Sequence, residues 1–407
     1  MASQLQLSFV SFKKDSYIVV EGKQNADRFF IIHQGKVGIS KEVEVVEESN
    51  VLGPGDFFGV VSTMSSHSHI ETARALTDVV LISVHKEQYG ELIQNNTPVA
   101  MKIILQFSKR LRYLDEALSR LTLKSTANED TSHLFSIAEY YIRKSLYNQA
   151  YYAYFRYLKY CPQGENVSAA RERMAKIAIY VNGIKMDFGP EEFNRSYPKN
   201  SMLFAEGEPG DELFIIQKGS VKIVKVVDNN EVLLAVLKAG DIFGEMALLE
   251  SKPRAASAVA YEDCQVLAVN KANFERMIVT QPQIVARLTT LLSERIWTIY
   301  RQLANTLLTD PLGRMYDALL LQLEKNRVHP DNAHPYTFDF GPKELANMVG
   351  LPQTEANIVL KKMLENKKIQ IDNDKIQVSS VMEVFKQVEY YRKMQKIEKS
   401  RLEARKT

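Results

Sequence analysis

A chain of 407 residues, 45% of them apolar and with a net charge of +3, is expected to fold as about two to four globular domains, each burying its own core. It holds no apolar run of about 18 residues, and Met1-Ala2-Ser3-Gln4-Leu5-Gln6 sets no basic stretch before an apolar one. Neither a membrane span nor a secretory leader is therefore expected. Two cysteines, Cys161 and Cys264, give no disulfide framework and point to a reducing, cytoplasmic setting.

Residues 1–100 carry short apolar runs broken by glycines. Glu21-Gly22 is followed by Asp27-Arg28-Phe29-Phe30-Ile31-Ile32, Gly35 and Gly55-Asp56-Phe57-Phe58-Gly59. Such spacing reads as strands and turns of a closed or sandwiched β structure. A helix is expected over 101–127. Ile104, Phe107, Leu111, Leu114, Leu118 and Leu121 alternate three and four apart, a heptad seam flanked by charges.

A helical segment is expected over 128–185. Leu134, Ala138, Tyr141, Ala150, Tyr154, Tyr157 and Pro162 fall on the positions of one tetratricopeptide-like repeat. It reads either as a linker packed on a barrel or as a docking site for a protein partner at 131–181.

From 186 to 283 the first pattern returns. Glu206-Gly207 is followed by Asp211-Glu212-Leu213-Phe214-Ile215-Ile216, Gly219 and Gly240-Asp241-Ile242-Phe243-Gly244. Here it continues into Glu245-Met246-Ala247-Leu248-Leu249 and then Pro253-Arg254-Ala255-Ala256-Ser257. The glycine allows close backbone approach, the arginine offers a fork to phosphate oxygens, and the glutamate accepts from a hydroxyl. That inventory suits a sugar phosphate.

This segment resembles the phosphate-binding cassette of cyclic-nucleotide-binding domains, as in catabolite-activator-type regulators and protein kinase A regulatory subunits. The resemblance implies a jelly-roll-like barrel. It implies that Glu245 accepts the ribose 2′-hydroxyl and Arg254 pairs with the cyclic phosphate. The amides of Gly244, Met246, Ala247, Ala255 and Ala256 would line the anion site. Ala255 replaces the threonine that goes with cGMP, so cAMP is the favoured effector, and no metal is expected. At a constant offset the first copy has Val60 in place of the glutamate and His69 in place of the arginine. It is expected to be degenerate, with His67 and His69 as surface residues of its loop.

A second long helix is expected over 284–309, with Val285, Leu288, Leu292, Ile296, Ile299, Leu303 and Leu307 on one face. Both long helices resemble the family's dimerisation helix. Each would pair with its twin in another chain, or the two would pair within one chain. The commonness of symmetric dimers favours a homodimer. Aligning Asp310, Gly313 and Arg314 with the family's hinge region sets Ile299 and Tyr300 at the base-contacting positions, with Tyr300 either stacked on the base or in a core or dimer interface.

Residues 310–380 resemble a winged helix-turn-helix. A first helix and turn run from Gly341 to Leu351, a second helix from Gln353 to Asn366, and Ile369 to Val378 forms the wing. Base contacts would come from the start of the second helix, from Gln353, Thr354 and Asn357, with Lys361 and Lys362 reaching phosphates. Ile358 stands where the family has an arginine. From Lys343 onward there are fourteen Lys and Arg against nine Asp and Glu. Residues 381–407 read as a basic C-terminal helix.

The whole is an α+β multidomain chain of two barrels each followed by a long helix, a helical linker and a winged helix. It reads as a cAMP-sensing transcription regulator acting on double-stranded DNA. The alternative is a nucleotide-binding signalling scaffold whose winged helix does not bind DNA. No Ser-His-Asp order, metal cluster, phosphate loop or paired carboxylate suggests an enzyme.

Overall fold

The computed structural model describes residues 8–23, 26–43, 50–123, 130–181, 185–189, 191–227, 230–328 and 334–404. They gather into two compact units that do not follow chain order. One comprises 1–10, 27–30 and 82–296, and the other 11–26, 31–81 and 297–407.

The first of these units is built on the second barrel. One sheet sets Met202–Phe204, Ser257–Ala260, Ser220–Val227 and Asn230–Lys238 side by side. The other sets Ile242–Phe243, Glu212–Lys218, Cys264–Asn270 and Asn194–Tyr197 in that order. All these pairings are antiparallel, with Val221 opposite Ala260 and Phe214 opposite both Phe243 and Ala268. Side chains alternate along each strand. Val221 and Ile223 therefore join Leu203, Phe214 and Val266 inside the barrel, while Val224 and Val226 face outward.

The outward face is covered by the helical linker, His133–Arg143, Tyr147–Tyr160 and Val167–Ile177. Fully buried Ala138, Ala150 and Ala153 let its first two helices pack closely. Tyr152 donates to the Leu203 carbonyl at 2.9 Å, and Tyr141 donates to Glu231 at 3.0 Å. Much of the tyrosine-rich face is thus turned toward the barrel.

The first long helix spans Thr97–Leu123 and packs against the short cassette helix Glu245–Glu250. Its seam is buried from Ile104 to Leu114, and Leu121 is 58% exposed. The second long helix, Pro282–Thr306, begins in this unit, where Thr289 bonds Tyr89 at 3.0 Å between their hydroxyls.

The other unit contains the first barrel's sheet of Tyr17–Val19, Thr72–Ala75, Val37–Ser40 and Val51–Leu52. It also contains the end of the second long helix and everything after it. Helix Pro311–Lys325 starts at Asp310, whose carboxylate accepts from the Leu312 and Gly313 amides. Helices Pro342–Met348 and Gln353–Leu364 follow, with Gly350 in the left-handed conformation (φ 63°) closing the first. The hairpin Ile369–Asp372 and Lys375–Val378 turns through Asn373 and Asp374, both at positive φ as a two-residue turn requires. Leu319, Leu345, Ala356, Met363 and Ile376 form one core with Val384 of the tail helix Val381–Ala404.

One buried charge ties these pieces together. Asp317 is fully buried and bonds Arg301 at 3.4 Å, Arg392 at 2.5 Å and Asn305 at 3.1 Å. Burial pushes its carboxyl up, but the two guanidiniums outweigh this and hold it below the usual range. The first arginine of the basic tail is therefore an internal partner rather than a free arm.

Candidate functional site

Strand Ile242–Phe243 ends at Gly244, whose φ of 76° turns the backbone sharply into the cassette helix. Glu245, Met246 and Ala247 open that helix and are buried, with Glu245 only 1% exposed. Arg254 is buried too. It donates to the Gly244 carbonyl at 2.7 Å and lies over the Phe204 ring, 4.2 Å from its centroid. Its Nε is buried without a hydrogen-bond partner. Burial lowers its pKa, opposed by the nearby Glu208, Tyr152, Glu212 and Asp211. Ala255 and Ala256 follow, half-buried.

Both glycines leave room for the guanidinium. A Cβ on Gly210 would sit 2.3 Å from Arg254 Nε, and one on Gly244 2.7 Å from Nη1. Backbone bonds fix the arginine from the other side. The Gly207 amide donates to the Arg254 carbonyl at 2.9 Å, and the Arg254 amide to the Glu208 carbonyl at 2.8 Å. Glu208 is held in turn by Tyr152 at 3.2 Å and Arg156 at 3.3 Å, both from the linker.

Three charged residues outside the sequence-predicted set converge on the cassette. Arg295 of the second long helix donates to Glu245 at 2.8 Å. Arg112 of the first long helix pairs with Glu250 at 3.0 Å and donates to the Pro253 carbonyl at 3.2 Å, while Ser108 donates to Glu250 at 2.7 Å. Asp115, one turn further along, is raised in pKa by burial, offset by Arg295, Lys225 and Arg112 and reinforced by Glu245. Spacing within any one motif could not reveal these partners, because they lie 50 to 142 residues apart. A weaker signal existed. The offset that relates the cassettes also sets Arg112 against Trp297 and Asp115 against Tyr300.

Glu206 and Lys225 are both buried and lie 3.9 Å apart. Glu206 Oε2 has no hydrogen-bond partner. Burial lifts the Glu206 carboxyl to about 7, partly opposed by Lys225 and by a backbone bond from Val226.

The first copy repeats the backbone but not the chemistry. The Gly22 amide donates to the His69 carbonyl at 2.7 Å and the His69 amide to the Lys23 carbonyl at 3.0 Å, matching the bonds around Arg254. Gly59 repeats the left-handed turn at φ 80°, but its amide is taken by the Glu71 carboxylate at 2.8 Å. Val60 is buried. His69 is buried as well, rather than at the surface as expected, because these backbone bonds draw it inward. His67 stacks on Trp297 with ring centroids 3.9 Å apart.

Tyr300 belongs to this copy and not to the second cassette. Its hydroxyl donates to Glu21 at 2.6 Å and accepts from the Val43 amide at 3.2 Å, while Trp297 Nε1 donates to the Ser68 carbonyl at 3.2 Å. The alignment assigned Tyr300 to the barrel preceding it in sequence. The helix instead ends in the other unit.

Of the residues expected to meet DNA, Thr354, Asn357, Lys361 and Lys362 are exposed on helix Gln353–Leu364, and the Gln353 side chain lies outside the described residues. Ile358 beside them is 60% exposed. Lys368 is engaged by Glu383 at 2.7 Å. Arg314 donates to the Val349 carbonyl and so braces the turn before this helix.

The model of the cyclic nucleotide-binding domain matches residues 9–96 and 194–281. The cAMP-activated global transcriptional regulator CRP of Pasteurella multocida is 32% identical over 174 residues, 42% of this chain and 81% of that protein. A CRP-like cAMP-activated global transcriptional regulator of Mycobacterium tuberculosis is 29% identical over 184 residues, 45% of this chain and 82% of that protein. The solved Thermus thermophilus catabolite activator protein is 26% identical, covering 49% of this chain and 90% of that one with a TM-score of 0.28. The chain belongs to the CRP/FNR family of transcription regulators and carries two cyclic-nucleotide-binding domains. Among the described residues no helix is long and apolar enough to cross a membrane.

The raised Glu206 carboxyl has a measurable consequence. Folding favours its protonated form, so its contribution is fully present below pH about 4.5 and is lost as pH rises through about 7. Wild type should lose about 3 kcal/mol relative to Glu206→Gln across that window. Urea unfolding of the ligand-free proteins between pH 5 and 8 measures the difference, and parallel pH profiles would refute it.

Proposed function

We propose that this protein is a cyclic-nucleotide-responsive transcription regulator in which the second barrel senses the effector and the first is structural. The observation that carries the reading is Arg254: a buried guanidinium with an unpartnered Nε, held beside Gly244 and Glu245. A buried cation in such a cradle calls for an anion. The phosphate of a cyclic nucleotide supplies it, and Glu245 takes the ribose hydroxyl. Ala255 after the arginine favours cAMP. In the first barrel, Glu71 already takes the Gly59 amide, and Tyr300 already bonds Glu21. Calorimetry with cAMP should find one site per chain. Arg254→Ala should weaken binding by about 2–5 kcal/mol, roughly 30-fold or more. Equal affinity, or two sites per chain, would sink this assignment.

The route from effector to output runs through Glu245. A ribose hydroxyl on this carboxylate would share it with Arg295, which takes one of its two oxygens, so ligand and long helix meet at one group. That helix carries Arg301 and Asn305, which hold Asp317 beneath the winged helix. Ligand that binds one setting of the helix more tightly shifts the population toward it.

The output we infer is binding to double-stranded DNA through helix Gln353–Leu364, with Thr354 and Asn357 toward bases and Lys361 and Lys362 toward phosphates. Fluorescence anisotropy on duplex DNA should show binding that weakens with salt. Replacing Lys361 and Lys362 by Ala should flatten the slope of log K against log salt by about 1 for each lysine. No binding at low salt, with or without cAMP, would favour the scaffold instead.

The sequence favours a homodimer, but we infer pairing within one chain. The first long helix already holds the cassette of the second barrel through Ser108 and Arg112. Light scattering should give the single-chain mass of 46.4 kDa. A stable mass of twice that value would restore the homodimer.

A further inference from the structure

We propose that Glu206 and Lys225 form the subsite that reads the base of the nucleotide, and that they select adenine through its 6-amino group and a neighbouring ring nitrogen. The proposal rests on the second barrel being the nucleotide sensor.

Lys225 lies two residues beyond Ile223 and four beyond Val221, on the interior face of strand Ser220–Val227. Glu206 lies two residues beyond Phe204, the ring under Arg254. Its own amide donates to Ser257 Oγ at 2.9 Å, and the next amide donates to the Arg254 carbonyl. The pair is thus fastened to the backbone of the phosphate-binding arginine. Asp115 of the first long helix interacts electrostatically with both Lys225 and Glu245, which places the pair and the ribose-binding carboxylate around one polar region.

A purely structural ion pair is the competing explanation, and the geometry argues against it. At 3.9 Å the two groups make an ion pair without a hydrogen bond, and Glu206 Oε2 is buried with no partner. Native interiors rarely leave a carboxylate oxygen in that state. An ionised glutamate only accepts and a lysine only donates. Adenine offers a complement, an amino hydrogen for the carboxylate and an adjacent ring nitrogen for the ammonium. Guanine would turn its O6, a second acceptor, toward the carboxylate. Tyr300, the other candidate for a base contact, is instead bonded to Glu21.

The test is calorimetry of the full chain with three probes: cAMP, cGMP and purine riboside 3′,5′-cyclic monophosphate, which lacks the 6-amino group. Wild type should bind cAMP about tenfold tighter than the deamino analogue. Glu206→Leu, which has no acceptor, should erase most of that ratio while leaving affinity for the deamino analogue nearly unchanged. Lys225→Met should weaken both adenine-type ligands, and it serves if Glu206→Leu fails to fold. Equal wild-type affinity for cAMP and the deamino analogue overturns the proposal while leaving the sensor reading intact. So does an unchanged ratio in folded Glu206→Leu, or unchanged affinity for both ligands in folded Lys225→Met. If wild type binds none of the three, the sensor reading falls and this proposal with it.

Discussion

A buried guanidinium without a carboxylate partner is the constraint around which the second barrel is built. Arg254 has its Nε buried and unpartnered, and a side chain in that state is costly unless its surroundings are prepared for it. The preparation is visible in every neighbour. Gly210 and Gly244 leave room where a Cβ would collide, Phe204 offers the face of its ring, and two backbone bonds fix the arginine against the Glu206–Glu208 turn. That turn is itself held by Tyr152 and Arg156, so the helical linker belongs to the support of the anion site.

The same backbone without the charge shows what the charge demands. In the first copy His69 replaces the arginine, and Glu71 satisfies the glycine amide that opens the cassette helix. Trp297 and Tyr300 bond to its loop and to Glu21, the counterpart of Glu206. An acceptor that stands open in one barrel is thus filled by a phenol in the other. The two copies share strands and turns because those depend on glycine spacing and alternation. They differ where a partner must come from a distant segment.

That distinction marks what was legible in the sequence. The glycine turns, the cassette and the hairpin through Asn373 and Asp374 were legible because each is fixed by residues within a few positions. The heptad seam marked the first long helix to within a few residues of Thr97–Leu123. What it packs against was not legible, since a heptad reports only that one face is apolar. Glu250 lies 138 residues from Arg112, and no local period links them. Tyr300 was read into the wrong barrel for the same reason. An alignment fixes its place on a helix but not the unit in which that stretch of helix is embedded. The tail read as a basic helix, yet Arg392 is drawn to the buried Asp317, a partner 75 residues away.

The interleaving of the two units has a consequence for how the chain is made. The strands at 31–81 leave the ribosome first, but the residues from Trp297 onward that complete their unit are about 220 positions later. Loop closure over such a distance is slow, and sequence-distant contacts delay folding. At about 5–20 residues per second, synthesis alone separates the two halves by roughly ten seconds or more. The unit built on the second barrel, nearly contiguous from 82 to 296, is finished within that interval. The order of synthesis therefore presents the unit built on the second barrel before the unit that begins with the first barrel's strands is complete.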